Sequence, residues 1–192
     1  MNKQLNGLIR NEVYRLYHSP FVTEYQGDII KDAEVAFTKY QMLFDKGSLG
    51  TTWDYRKYNI FSLTARSVYF YVLYQQIVAA CRDYIGDDRP LWMQCWLNRH
   101  LSQEVLPWHA HDETSVLHGY VSIDPKNTVT VFKNFSITNK IGNMYLGGCG
   151  PDTAHCVEVL EPYNDYRITI AFDVIDHTPY NATPNLSFIP IP

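Results

Sequence analysis

Arg167-Ile168-Thr169-Ile170-Ala171-Phe172-Asp173-Val174 reads as a β-strand. Side chains two apart on a strand share a face. Arg167, Thr169, Ala171 and Asp173 therefore line one side, and Ile168, Ile170, Phe172 and Val174 line the other. Five runs of similar character precede it: Leu91 to Asn98, Val116 to Ile123, Thr128 to Phe132, Gly142 to Leu146 and His155 to Leu160. Turn-forming clusters separate several of them, at Asp124-Pro125-Lys126-Asn127, Gly147-Gly148-Cys149-Gly150-Pro151 and Glu161-Pro162-Tyr163-Asn164-Asp165. Many short strands at this spacing predict a sandwich or barrel.

Upstream of Pro90 the period changes. Ala33, Ala36, Phe37, Tyr40, Leu43 and Phe44 recur at spacings of three and four, which predicts a helix over 29–45. Gly47-Ser48-Leu49-Gly50 breaks that pattern. Leu73, Ile77, Ala80, Cys81 and Tyr84 predict a second helix from Thr64 to Ile85, with Gly86 as its terminator. Helices followed by strands give an α+β class, mainly β. The expected organisation is a single domain over 1–192: a mainly helical part over 1–88, a β core over 89–177, and an extended surface tail over 178–192 that holds four prolines.

Composition narrows the functional classes. Of the 192 residues 46% are hydrophobic and 19% charged, as in a globular chain with a real core. The net charge of −4 comes with no Lys/Arg stripe, so no nucleic-acid partner is expected. Met1 to Gly7 lack the apolar run of a signal peptide. The apolar run Val68 to Leu73 stops at Gln75 and Gln76, short of a membrane span. Cys81, Cys95, Cys149 and Cys156 form no C-x-x-C pair and no disulfide framework, which suits free thiols in a reducing compartment. A cytoplasmic location without a membrane partner is the expectation.

The chemistry concentrates in Leu106-Pro107-Trp108-His109-Ala110-His111-Asp112-Glu113. On an extended strand His109 and His111 project together, and Glu113 follows them. Two imidazoles met by a third ligand from a distant strand form a three-point metal site with open positions. His155, opening a strand after a glycine-rich turn, is the third candidate. Twelve residues later stands Arg167, whose guanidinium can grip a carboxylate with two parallel hydrogen bonds, assisted by the Thr169 hydroxyl. A surface ion pair at the strand end is the plainer reading of Arg167. His18, His100 and His177 have no evident partners and read as surface residues.

The order of these parts resembles the iron(II)/2-oxoglutarate-dependent oxygenase superfamily, and within it the small bacterial and phage-type members. The resemblance rests on Trp96-Leu97-Asn98, Trp108-His109-Ala110-His111, His118-Gly119-Tyr120-Val121-Ser122-Ile123, Gly142, His155 and Arg167-Ile168-Thr169, and it covers about residues 91–174. It implies a double-stranded β-helix (jelly-roll) barrel with the N-terminal helices packed outside. It also implies Fe(II) at the open end, with 2-oxoglutarate as cosubstrate and Arg167 and Thr169 on its distal carboxylate. Asn98 and Tyr120 would lie beside the cosubstrate, and His118 would line the pocket. The implied activity is that of a dioxygenase, an oxidoreductase that consumes molecular oxygen, releases succinate and carbon dioxide, and oxidises a small-molecule or peptidyl substrate.

The chain departs from that family in one respect. The usual motif has a carboxylate two residues after the first His, where this chain has His111. Two ligand sets follow: His109, His111 and His155, or His111, Glu113 and His155. Asp112 is a candidate to orient an imidazole from behind. Two other classes compete. A cupin-type metal-dependent enzyme also uses H-x-H and a later His, but does not require Arg167. A non-catalytic jelly-roll binding or structural protein requires no metal at all.

Overall fold

In a computed structural model the described residues are 4–44, 59–104, 106–111, 114–176 and 187–192. Gly47 to Gly50, Asp112, Glu113, His177, the start of the tail at Thr178 and the side chains of Leu43 and Phe44 lie outside them. The order of elements is β1 (Asn6–Arg10), β2 (Tyr14–His18), α1 (Pro20–Glu24), α2 (Gln26–Phe44), α3 (Ile60–Leu63), α4 (Val68–Ile85), β3 (Leu91–His100) and β4 (Leu106–His109). There follow β5 (Leu117–Asp124), β6 (Thr128–Phe132), β7 (Ser136–Thr138), β8 (Asn143–Gly147), a 3-10 turn (Pro151–Thr153), β9 (His155–Val159), β10 (Arg167–Ile175) and β11 (Phe188–Ile191).

The helices form where the apolar period predicts. In α4 the buried residues Phe70, Leu73, Ile77, Ala80 and Cys81 form one stripe. The Ser67 Oγ caps its start by accepting from the Phe70 N–H at 3.2 Å. Gly86 ends it at φ +82°, a left-handed conformation that glycine adopts without Cβ strain. In α2 the stripe is Ile29, Ala33, Ala36, Phe37 and Tyr40, all buried. The first 88 residues are nevertheless not helical throughout. β1 and β2 form a hairpin whose turn is held by the Asn11 Oδ1, which accepts from the N–H groups of Val13 and Tyr14.

The strands make two antiparallel sheets. The larger has the order β1-β2-β8-β5-β10-β3-β11, and the smaller β4-β9-β6-β7. The expected alternation of β10 holds, but both of its faces are covered. One apolar core runs from the helices into the sheet and includes Ile168, Ile170, Phe172 and Val174. On the other face the small sheet packs against the large one. There the Phe132 ring lies 4.8 Å from that of Tyr145, and the Tyr120 hydroxyl donates to the Asn139 Oδ1 at 3.1 Å. The polar side chains of β10 thus face an interior between two sheets, not solvent. Within the tail, residues 187–192 depart from a surface course, since β11 adds to the edge of β3 and buries Ile191.

Candidate metal centre

β4 and β9 pair so that His109 stands opposite His155. Their rings meet at 4.4 Å between centroids, and the His111 ring lies 5.5 Å from each. One nitrogen from each of the three lies within 4.8 Å of the other two. The expected single strand carrying both His109 and His111 is only half present. β4 ends at His109 with an irregular register, and His111 follows in a loop that folds back toward the same point.

The outward-facing nitrogens decide what these rings can do. The His109 Nδ1 lies 2.9 Å from the Pro107 carbonyl oxygen, and the His155 Nδ1 lies 3.0 Å from the Thr153 carbonyl oxygen. A carbonyl only accepts, so each Nδ1 must carry the proton, and in the neutral ring the Nε2 keeps its lone pair. The His111 Nδ1 lies 2.6 Å from the Asp173 Oδ1, where the same logic applies. Three lone pairs on neighbouring rings, each ring fixed from behind by an acceptor, form a donor set that fits a divalent transition metal. Burial, reinforced by the neighbouring His109, pushes the His155 pKa down to about 3, and burial also lowers that of His109. Both are therefore neutral near pH 7, as ligation requires.

His118 adds a fourth imidazole to this cluster. It is 1% exposed, its ring lies 4.0 Å from that of His111, and its Nε2 has no hydrogen-bond partner among the described residues. Close approach of the backbone at the next residue depends on glycine. A Cβ at Gly119 would stand 2.4 Å from both the Phe172 Cζ and the Tyr145 carbonyl oxygen.

A second polar group lies further along the same face of the large sheet. Thr169 pairs with Asn98 on one side and Ser122 on the other, Ala171 pairs with Trp96 and Tyr120, and Asp173 pairs with Gln94 and His118. Cross-strand partners share a face, so Asn98, Tyr120, Thr169 and Arg167 belong to the surface that carries Asp173 and His118. All four are buried. Arg167 is 4% exposed, its Nε lacks a partner, and no ion pair to it occurs among the described residues. The surface-ion-pair reading of Arg167 therefore does not hold there. Burial lowers the pKa of its guanidinium against the opposing influence of Tyr120 and Tyr163. A buried cation without a counter-charge is costly, and an anion drawn in from outside removes that cost.

The surface reading of one further histidine changes. His100 is not a surface residue: it is 6% exposed, pairs with Arg167 across β3 and β10, and has its pKa pushed down to about 4 by burial and by that arginine. Behind the His111 imidazole stands Asp173, which the sequence places on the correct face but does not connect to His111. Asp112 and Glu113 lie outside the described residues, and so does the ligand set that includes Glu113.

No family model and no curated protein matches the chain. Solved structures do match along nearly its whole length. The carbocyclase SnoK from nogalamycin biosynthesis, described as non-heme and α-ketoglutarate-dependent, aligns with a TM-score of 0.62 at 10% identity, over 93% of this chain and 92% of its own. HygX from Streptomyces hygroscopicus with nickel and 2-oxoglutarate bound aligns with a TM-score of 0.56 at 12% identity, over 90% of this chain and 88% of its own. The viral collagen prolyl hydroxylase from Paramecium Bursaria Chlorella virus-1 aligns with a TM-score of 0.55 at 12% identity, over 89% of this chain and 96% of its own. At such identities the likeness is one of fold. The chain has the fold found in 2-oxoglutarate/Fe(II) oxygenases.

Proposed function

We propose that this chain is an iron(II)- and 2-oxoglutarate-dependent dioxygenase of one domain, built on a double-stranded β-helix, that oxidises a small-molecule or peptidyl substrate. The observation that carries the reading is the orientation of His109, His111 and His155, each with its Nδ1 turned to an acceptor and its Nε2 left for a common ion. Iron would supply oxygen activation coupled to the breakdown of 2-oxoglutarate into succinate and carbon dioxide. The chain's own work is placement and exclusion of water.

Arg167 binds the distal carboxylate of the cosubstrate with its buried guanidinium, and the Thr169 hydroxyl donates to the same group. Asn98 and Tyr120 flank the cosubstrate on the adjoining strands. The two sheets shield this trough from solvent, which strengthens every charged contact inside it. The three imidazoles bring no negative charge to the ion, and Asp173 places a carboxylate one hydrogen bond away, behind His111. The fold shared with SnoK and HygX supports this choice over a cupin-type enzyme, and the buried Arg167, without an ion pair among the described residues, supports it over a jelly roll that only binds or scaffolds.

The test is anaerobic addition of Fe(II) and 2-oxoglutarate to the purified protein, followed by exposure to oxygen. The expected result is a weak visible charge-transfer band that decays on oxygenation, with succinate released. A protein that gives neither band nor succinate contradicts the proposal.

A further inference from the structure

His118 holds neither the metal nor the distal carboxylate. It projects from β5 into the row that Asp173 occupies on β10, and its ring lies 4.0 Å from that of His111 and 5.4 Å from that of His155. The mutually close nitrogens are those of His109, His111 and His155, so His118 stands beside the triad and outside it. Its Nε2 is buried and without a partner among the described residues. A buried polar nitrogen left unsatisfied is destabilising, and a side chain kept only for packing has no need of one. A phenylalanine would fill the same space beside Tyr145 with no such cost.

We propose that His118 binds the small anion that completes the metal's coordination, donating its Nε2–H to a carboxylate oxygen at the metal-bound end of that anion. The inference rests on the dioxygenase reading above, since a 2-oxo acid chelating the ion presents such an oxygen beside the triad. It gives the two ends of the cosubstrate separate anchors: Arg167 at the distal carboxylate and His118 at the chelating end. His118 is then a binding residue and not a fourth ligand, so it acts on anion affinity and leaves metal affinity alone.

Two variants and two anions test this. His118→Phe keeps the ring and loses the nitrogen, and His118→Gln keeps a donor. Each is loaded anaerobically with Mn(II), and dissociation constants are measured for Mn(II) alone, then for 2-oxoglutarate and for oxalate on the loaded protein. Oxalate chelates but has no distal arm. The expected result is unchanged Mn(II) affinity, with both anions weakened about tenfold or more in His118→Phe and largely restored in His118→Gln. Arg167→Ala is expected to weaken 2-oxoglutarate and spare oxalate. Unchanged anion affinity in His118→Phe overturns the inference and leaves packing, or a resident water on the nitrogen. Loss of Mn(II) affinity in His118→Phe also overturns it, because His118 is then a ligand. If the wild-type protein loaded with Mn(II) binds neither anion, the dioxygenase reading fails first and takes this inference with it.

Discussion

The Asp173 Oδ1 lies 2.6 Å from the Nδ1 of His111, although 62 residues separate them in the chain. The contact joins the loop after β4 to the far end of β10. It fixes the tautomer of that imidazole and leaves its other nitrogen to bind an ion, and it sets a carboxylate behind the proposed set of three histidines, which has none of its own. Asp173→Asn keeps the shape and removes the charge. The expected result is a metal dissociation constant raised about 10- to 100-fold, read by competition with a chromophoric chelator, with the thermal midpoint little changed.

Arg167 predicts opposite effects on stability and on binding. Replacing a buried guanidinium that has no ion pair among the described residues with an apolar side chain of similar length removes a desolvation cost. Arg167→Met is therefore expected to leave the ligand-free protein as stable as before, or more stable by about 1–3 kcal/mol in urea unfolding. The same variant should lose measurable 2-oxoglutarate binding while keeping the metal. A strongly destabilised Arg167→Met would mean that the guanidinium already has a protein partner.

Stability should fall on mild acidification, and His100 fixes part of the window. Its pKa is about 4 in the fold, against 6.5 for a free side chain. Above pH 6.5 the ring is neutral in both states and costs nothing. As the pH falls from 6.5 toward 4 the unfolded chain takes up a proton that the fold excludes, and up to about 3 kcal/mol of stability is lost. His155, depressed to about 3, adds to the loss over the same range. Urea unfolding of metal-free protein at pH 7.5 and pH 4.5 measures the drop, and His100→Gln should make it smaller.

The crossing of β5 over Phe172 leaves no room at residue 119. A Cβ there meets the Phe172 ring edge and the Tyr145 carbonyl oxygen at 2.4 Å, and backbone cannot swing aside as a side-chain tip can. Gly119→Ala is expected to cost about 1–3 kcal/mol in urea unfolding. It should also disturb His118, its neighbour in the chain, which near-ultraviolet circular dichroism of the surrounding aromatic cluster would register.

Strands with strict alternation are legible from the residues alone. Thr128 to Phe132 reappears unchanged as β6, and Arg167 to Val174 gains one residue as β10. Local pattern also places α2 and α4, because apolar side chains at helical spacing have to share a face. The hairpin of β1 and β2 escapes the sequence reading for a physical reason. All five residues of β1 are exposed at a sheet edge, so no alternation of burial marks them, although Tyr14, Leu16 and the Asn11 turn are available as signals. β7, with three residues, is too short to carry a period. Of the site, the histidines at 109, 111 and 155 can be found from their types and order. Asp173 behind His111 and the burial of His100 cannot, since both depend on which strands lie side by side.

His109, His111 and His155 are proposed to hold the ion, and Glu113 provides the sharpest comparison. Anaerobic calorimetric titration with Fe(II) should be run on the wild-type protein and on His109→Ala, His111→Ala, His155→Ala and Glu113→Ala. About one ion per chain is expected in the wild type and in Glu113→Ala, and no high-affinity binding in any of the three histidine variants. Retention of the metal by His109→Ala together with its loss in Glu113→Ala would overturn this assignment and transfer the site to His111, Glu113 and His155.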